Sequence, residues 1–354
     1  MLHEMPSQKY KAVVVDDSNF MVTILSDILE SDDRIEVIGT GSNGKEAVKL
    51  NEELEPDVIL LDIEMPKMDG LTATKSIMSD NPTPIIILSA MGDKVANMAV
   101  KALDAGAVDF ISKTSGSLSM DIRKKSDEIL TKLIKAAESS PKSIKEEKKK
   151  EKEEIKFKPK KKNYIVTIAS STGGTRALDE LLSVIPSNFP APIVIVQHMP
   201  PKFTSHLART LNTKYGIKVK EAEKHEILKN NQVYIIPADY HGVIKKWQNE
   251  TFISLNKKPK LHGVRPAADY LFQSASDIFG SKVIGIVLTG MGKDGAEGAR
   301  IIKNNHGYVA VQDEDSCVVF GMPKSAIEYT DVNYVGNPRQ IGNKLNSLMM
   351  EEIN

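Results

Sequence analysis

Short apolar runs that end in polar residues recur along the chain, and helical spacing fills the gaps between them. The first run is Lys11–Asp17 (KAVVVDD), after which Phe20, Ile24, Leu25 and Ile28 recur on one helix face. IEVIGT follows, then a helix over Asn43–Leu54, the unbroken run Asp57–Asp62 (DVILLD), TPIIILSA and another helix. AVDFISK (Ala107–Lys113) and an amphipathic helix within Leu118–Ala137 close the series. Strands with no polar alternation must be dry on both faces, which is the condition of a parallel sheet covered by helices on each side. Right-handed crossovers wind such a sheet doubly. The pattern predicts an α/β domain of (βα)5 type over residues 9–137.

From Asn163 the alternation resumes. YIVTIAS, APIVIVQH, KVKEAE, QVYIIPA, KVIGIVLTG and GYVAVQD read as strands. Helical spacing fits Thr175–Val184, Thr204–Tyr215, Ala267–Phe279 and Gly295–Asn304, whereas Val243–Leu261 reads as an antiparallel hairpin. Residues 163–350 are therefore expected to form a second doubly wound, mainly parallel α/β domain carrying a hairpin. No internal repeat relates the halves.

Between the two patterns the composition changes. Pro141–Lys162 holds 11 Lys and 5 Glu with only three large apolar residues, Ile144, Ile155 and Phe157, too little to offset the entropy of ordering. Residues 138–162 are read as a charged, solvated tether. The whole chain carries 47 basic and 47 acidic residues, so a protein-wide nucleic-acid binder is not expected. Cys317 is the only cysteine, which excludes an internal disulfide or a cysteine-rich zinc site. No run is long and apolar enough to span a membrane, and MLHEMPSQKYK lacks a signal-peptide core, so the expected location is the cytoplasm with no membrane insertion.

Ligands of open α/β sheets bind beyond the carboxyl ends of the strands. In the first half those ends carry Asp16 and Asp17, then Asp62, Ser89 and Lys113. Three clustered carboxylates repel unless a cation joins them, and their hard oxygens suit Mg²⁺. VVVDDS, LLDIEMPKMDG, IIILSA and GAVDFISK resemble the receiver domains of bacterial response regulators. The resemblance implies Asp62 as phosphoacceptor, Mg²⁺ held by Asp16, Asp17, Asp62 and the backbone carbonyl of Glu64, and Ser89, Phe110 and Lys113 as the switch residues. Thr114 stands where such domains usually have proline.

In the second half the strand ends carry Ser170 and Ser171 in ASSTGGT, His198 after PIVIVQ, and Asp294 in LTGMGKDG. A strand-end serine, imidazole and carboxylate can act as nucleophile, base and base-orienting acid. The same residues also fit a capped core histidine and an acid that caps the helix near Gly295. The spacings of Walker A, of the dinucleotide fingerprint and of the complete G-x-S-x-G elbow are absent. SSTGGT, VQHMPPKFT, VYIIPADYH, RPAADYLF, VLTGMGKDGAEG and VQDEDSCVVFGMPKSA resemble the catalytic domain of chemotaxis protein-glutamate methylesterases, over residues 163–345.

That resemblance implies Ser171 as nucleophile, His198 as base, Asp294 as orienting acid and the Met291 N–H in the oxyanion hole, with no cofactor in the esterase site. Ala169 and Ser170 replace the family's more usual Gly and Ala. The implied activity is demethylation, and optionally deamidation, of the cytoplasmic region of methyl-accepting chemotaxis receptors. A chemotaxis histidine kinase is the implied phosphodonor, and the unphosphorylated receiver is implied to cover the catalytic cleft. A receiver-regulated binding protein without activity, and a serine hydrolase of other specificity, are the alternative functions. Of the remaining histidines, His241 and His262 flank the predicted cleft, while His3, His206, His225 and His306 read as surface or helix residues. Arg265 has no partner legible in the sequence.

Overall fold

A computed structural model describes residues 9–90, 92–113, 122–139, 157–159 and 163–352. The chain divides into two compact units, Met1–Lys149 and Lys150–Asn354. His3, Thr114 and the start of the helix expected from Leu118 lie outside the described residues.

In the first unit, β1 (Tyr10–Val15), β2 (Ile35–Gly41), β3 (Val58–Asp62), β4 (Ile85–Ser89) and β5 (Asp109–Ser112) form one parallel sheet in the order β2-β1-β3-β4-β5. Every residue of β3 and β4 is buried, as their unbroken apolar sequences require. The crossovers contain α1 (Asn19–Glu30), α2 (Gly44–Leu54), α3 (Gly70–Asp80) and α4 (Asp93–Asp104), and α5 (Ser126–Ala137) follows β5. Ser18, Asn43 and Asp69 each accept a backbone N–H of the helix they precede, which fixes where three of these helices start. Strand order reverses between β1 and β3, so their carboxyl ends open the crevice of a doubly wound sheet.

The second unit is built on a seven-stranded parallel sheet of order β16-β15-β14-β7-β8-β11-β9. Its central strands are β7 (Ile165–Ser170), β8 (Ile193–Gln197) and β14 (Val283–Val287), all fully buried. β9 (Lys218–Glu221) and β11 (Gln232–Ile235) extend one side, β15 (Tyr308–Gln312) and β16 (Tyr334–Gly336) the other. The chain enters at β7, builds toward β9, then returns through β14 on the opposite side of β7. The reversal of strand order thus falls at β7.

Around the sheet lie α6 (Gly174–Leu182), α7 (Phe203–Lys214), α8 (Ala268–Phe279), α9 (Ala296–Asn304), α10 (Met322–Tyr329) and α11 (Pro338–Met349). α9 packs against both α8 and α10, and α11 packs against α6. Ala169, Val194, Val196, Leu271, Phe272, Val287 and Ile302 share one buried apolar cluster. β12 (His241–Trp247) and β13 (Glu250–Asn256) form the expected hairpin, which closes at Asn256 rather than Leu261 and gains the two-residue strand β10 (Glu226–Ile227) on one edge.

Two features depart from the sequence reading. β16, α10 and α11 were not predicted, and part of the charged segment is paired. Phe157–Pro159 forms β6, antiparallel to β17 (Met350–Glu352). The pairing is made by main-chain groups, so a Lys/Glu-rich composition does not forbid it. Residues 140–156 and 160–162 of the expected tether lie outside the described residues. Among the described residues no helix is long and apolar enough to cross a membrane.

Candidate active site

Parallel register brings the candidate triad together. Ala169 pairs with Val196 and Ser170 with Gln197, so Ser171 and His198 are the next positions on neighbouring strands. Val287 pairs with Ala169 on the other side, and Ser171 N–H donates to Thr289 O at 3.0 Å. Asp294 follows in the turn between β14 and α9. His198 Nε2 lies 2.8 Å from Asp294 Oδ2, with the imidazole half-buried and the carboxylate buried. Burial alone would push the Asp294 carboxyl up. The His198 hydrogen bond and the N–H groups of Ala268 and Asp269 outweigh it and hold the group below the usual carboxylate range.

The two adjacent serines differ in environment. Ser170 is fully buried and its Oγ donates to Gln197 Oε1 at 2.6 Å. Gln197 Nε2 in turn donates to Ser171 O at 2.9 Å, which pins the peptide next to the half-buried Ser171. Ser171 Oγ has no hydrogen-bond partner among the described residues. Gly173 sits at φ 74°, a left-handed conformation that lets the chain turn from β7 into α6 within three residues. Gly290 approaches so closely that a Cβ there would fall 2.7 Å from Ser171 Cβ.

The Met291 side chain is 42% exposed, and its N–H finds no acceptor among the described residues. Its turn is braced from behind. Gly321 and Met322 N–H donate to Gly290 O, and Thr289 Oγ1 accepts the N–H groups of Val318 and Val319. Cys317 belongs to the same brace, and burial pushes its thiol up to about 12.

In the first unit Lys113 Nζ lies 2.7 Å from Asp16 Oδ2 and 2.9 Å from Asp62 Oδ2. Burial pushes the Asp62 carboxyl up to about 6, with Lys113 opposing and Asp16 reinforcing the rise. Carboxylate oxygens of Asp16, Asp17 and Asp62 lie within 4.8 Å of one another, an all-oxygen donor set that fits Mg²⁺. Glu64, two residues past Asp62, is exposed. Ser89 is buried at the end of β4, opposite Ser112, and its Oγ donates to Ala90 O at 3.2 Å. Phe110 is buried, with Lys132 Nζ 5.4 Å from its ring centroid.

Residues 166–345 match the family model described as CheB methylesterase, and residues 12–121 match the response regulator receiver domain. The chain belongs to the CheB methylesterase family. A protein-glutamate methylesterase/protein-glutamine glutaminase of Methanococcus maripaludis is 44% identical over 94% of this chain and 96% of its own. One of the same description from Thermotoga maritima is also 44% identical, over 98% of this chain and all of its own. The crystal structure of the Thermotoga maritima CheB methylesterase catalytic domain is 47% identical and covers 53% of this chain, with a TM-score of 0.52.

Within this CheB methylesterase domain the other histidines separate cleanly. His241 is fully buried, accepts Ala267 N–H on Nδ1 and reaches Pro259 O through Nε2. Burial holds it below the usual imidazole range, so it is a neutral brace between hairpin and α8. His206 is buried on α7, while His225 and His306 are exposed. Arg265, unpartnered in the sequence, donates through Nε to Asp239 Oδ1 at 3.0 Å. His262 Nε2 lies 2.8 Å from Asp269 Oδ2. Gln197 and Asp269 were not singled out from sequence. Gln197 bonds Ser170 and Ser171 across the strand pairing and Asp269 bonds Gly295 and Gly298 across the helix pairing, contacts that no motif spacing encodes.

Proposed function

We propose that the chain is a phosphorylation-controlled serine hydrolase that demethylates glutamate methyl esters on chemotaxis receptors, releasing methanol. The single observation that carries this reading is the pairing of His198 with the buried Asp294 carboxylate beside Ser171, in a chain of the CheB methylesterase family.

The geometry supports one path for the proton. The buried Asp294 carboxylate takes the Nε2–H of His198, so Nδ1 is the free base. This is the reverse of the more familiar triad, in which the acid holds Nδ1. Ser171 Oγ attacks the ester carbonyl as its proton passes to His198 Nδ1. The Met291 N–H, at a site braced from Thr289 and Gly290, donates to the developing oxyanion, and the N-terminus of α6 adds positive potential. When the carbon–methoxy bond breaks, His198 returns the proton and methanol leaves. Water then attacks the acyl-enzyme, giving its proton to His198, and glutamate and Ser171 are restored. A primary amide can follow the same route with ammonia as leaving group, which accounts for glutamine deamidation by one site.

In the receiver, Asp62 is the phosphoacceptor. Asp16, Asp17, Asp62 and the Glu64 carbonyl would hold Mg²⁺, whose charge offsets that of an incoming phosphoryl group. Lys113 supplies a fixed ammonium at the same place, and Ser89 and Phe110 read out the change. The donor is a chemotaxis histidine kinase, and the substrate is the cytoplasmic region of a methyl-accepting receptor.

Methanol release from methylated receptor, with and without a small phosphodonor and Mg²⁺, tests the reading. Release that depends on Ser171 and rises with phosphodonor is expected. No release from receptor alongside rapid hydrolysis of small esters would move the specificity elsewhere.

A further inference from the structure

We propose that Asp269 is a positioning residue for the reaction, acting through Asp294. The inference rests on the esterase reading of Ser171, His198 and Asp294.

Asp294 and Asp269 cap each other's helices. Asp294 stands just before α9, yet its oxygens accept the first N–H groups of α8: Ala268 N on Oδ2 at 2.7 Å and Asp269 N on Oδ1 at 3.1 Å. Asp269 lies in the first turn of α8, yet its Oδ1 accepts Gly295 N at 3.0 Å and Gly298 N at 2.7 Å, both at the start of α9. Neither helix has a capping side chain of its own, since Ala267 and Gly295 occupy the cap positions. Two N–H groups at the start of each helix are thus met by this exchange.

The exchange fixes the reacting pair. Asp294 Oδ2 is shared between Ala268 N and His198 Nε2, so its direction sets where the imidazole points. Asp269 holds the peptide that immediately follows Asp294. If that carboxylate is removed, nothing ties Gly295 N to α8, and the Asp294 carboxylate can shift relative to His198.

Asn or Ser caps a helix about as well as Asp and brings no second buried charge. Here carboxylate oxygens of Asp269 and Asp294 lie within 4.8 Å of each other, and burial together with Asp294 raises the Asp269 carboxyl. His262 Nε2 at 2.8 Å from Asp269 Oδ2 offsets part of that cost. The other ionisable groups acting on the pair are His198 at the end of β8 and His241, itself influenced by Arg265, behind α8. His262, Asp269 and Asp294 also meet the distance criterion for a metal cluster. Their oxygens are already occupied by four backbone N–H groups and two imidazoles, so the group is a hydrogen-bond network.

The test uses the full-length protein and methanol release from methylated receptor, with kcat and KM measured separately. Asp269→Ala should lower kcat about 10- to 100-fold and leave KM within about twofold, because misalignment spares substrate binding. Asp269→Asn keeps an acceptor under Gly295 and Gly298 and should recover most of the lost kcat. In an Asp294→Ala background, Asp269→Ala should cost less than about twofold, since the residue it positions is gone. Should Asp269→Ala not fold by circular dichroism, Asp269→Leu, of similar shape but with no acceptor, takes its place in the same cycle. Wild-type kcat in Asp269→Ala, an Asp269→Asn variant as slow as Asp269→Ala, or an equal loss in both backgrounds would each overturn the proposal. Failure of the esterase reading itself is distinguishable: Ser171→Ala would then release methanol as fast as wild type.

Discussion

At the end of β7 two serine hydroxyls sit side by side, and only that of Ser170 has a partner. Ser171→Ala is expected to lower methanol release by about a thousandfold or more, because the other triad members cannot act without the nucleophile. Ser170→Ala removes only a hydroxyl bound to Gln197 and should cost less than about tenfold in rate and about 1 kcal/mol in stability. Rates and thermal melts of both variants check this, and reversed effects would exchange the two roles. Asp62 carries a prediction in pH. Its folded carboxyl titrates at about 6, above the ordinary value of 3.8. Its contribution is therefore favourable below about pH 4 and is lost as pH rises through about 6. Asp62→Asn should stabilise the receiver's unfolding transition at pH 7 in chelator by about 1–2 kcal/mol. The gain should shrink below pH 5, and Mg²⁺ should stabilise wild type more than the variant. A receiver transition that is indifferent to pH and Mg²⁺ would show that the acids do not share one field. At this scale the candidate positions were readable in the sequence wherever they lie at a strand end. Ser171, His198, Asp294, Asp16 and Asp62 each follow or close an apolar run. Asp269 was not readable, because its work is done through backbone N–H groups some 26 residues away.

Among the elements, the buried parallel strands were legible because Val, Ile, Leu and Ala dominate positions that are covered on both faces of a sheet. The hairpin was legible from its alternation, although its end at Asn256 was set by loop contacts rather than by pattern. β16 was missed because it is three residues long and exposes Val335 at the sheet edge. α11 carried a signal that went unread: Asn337-Pro338-Arg339-Gln340 is a capping box with proline at the first turn. Asn337 Oδ1 accepts Gln340 N at 2.9 Å, and Gln340 Oε1 accepts Asn337 N at 3.0 Å. Asn337→Ala should cost about 1 kcal/mol of catalytic-domain stability, measured by denaturant unfolding, with the rate per folded molecule unchanged. A loss below a few tenths would mean that packing of α11 on α6, not its cap, holds that helix.

For the molecule as a whole, a receiver can regulate a fused esterase only if its two phosphorylation states differ in free energy of interaction with it. A fragment spanning 150–354 keeps the β6–β17 pairing, which a cut at Asn163 would destroy. It is expected to outpace the unphosphorylated full chain on methylated receptor by about 5- to 150-fold, the range of typical coupling free energies. Equal rates would remove the covering model and leave the esterase assignment intact. The chain also contains its own reporter. Cys317 is the sole thiol, and burial pushes it up to about 12, so little of it is the reactive thiolate at pH 8. Alkylation of the native protein should therefore be slow, and a faster rate would report that the surroundings of Cys317 had loosened. The rate of that labelling, followed with substrate bound and absent, would register any change in the packing around Thr289 without a probe being introduced.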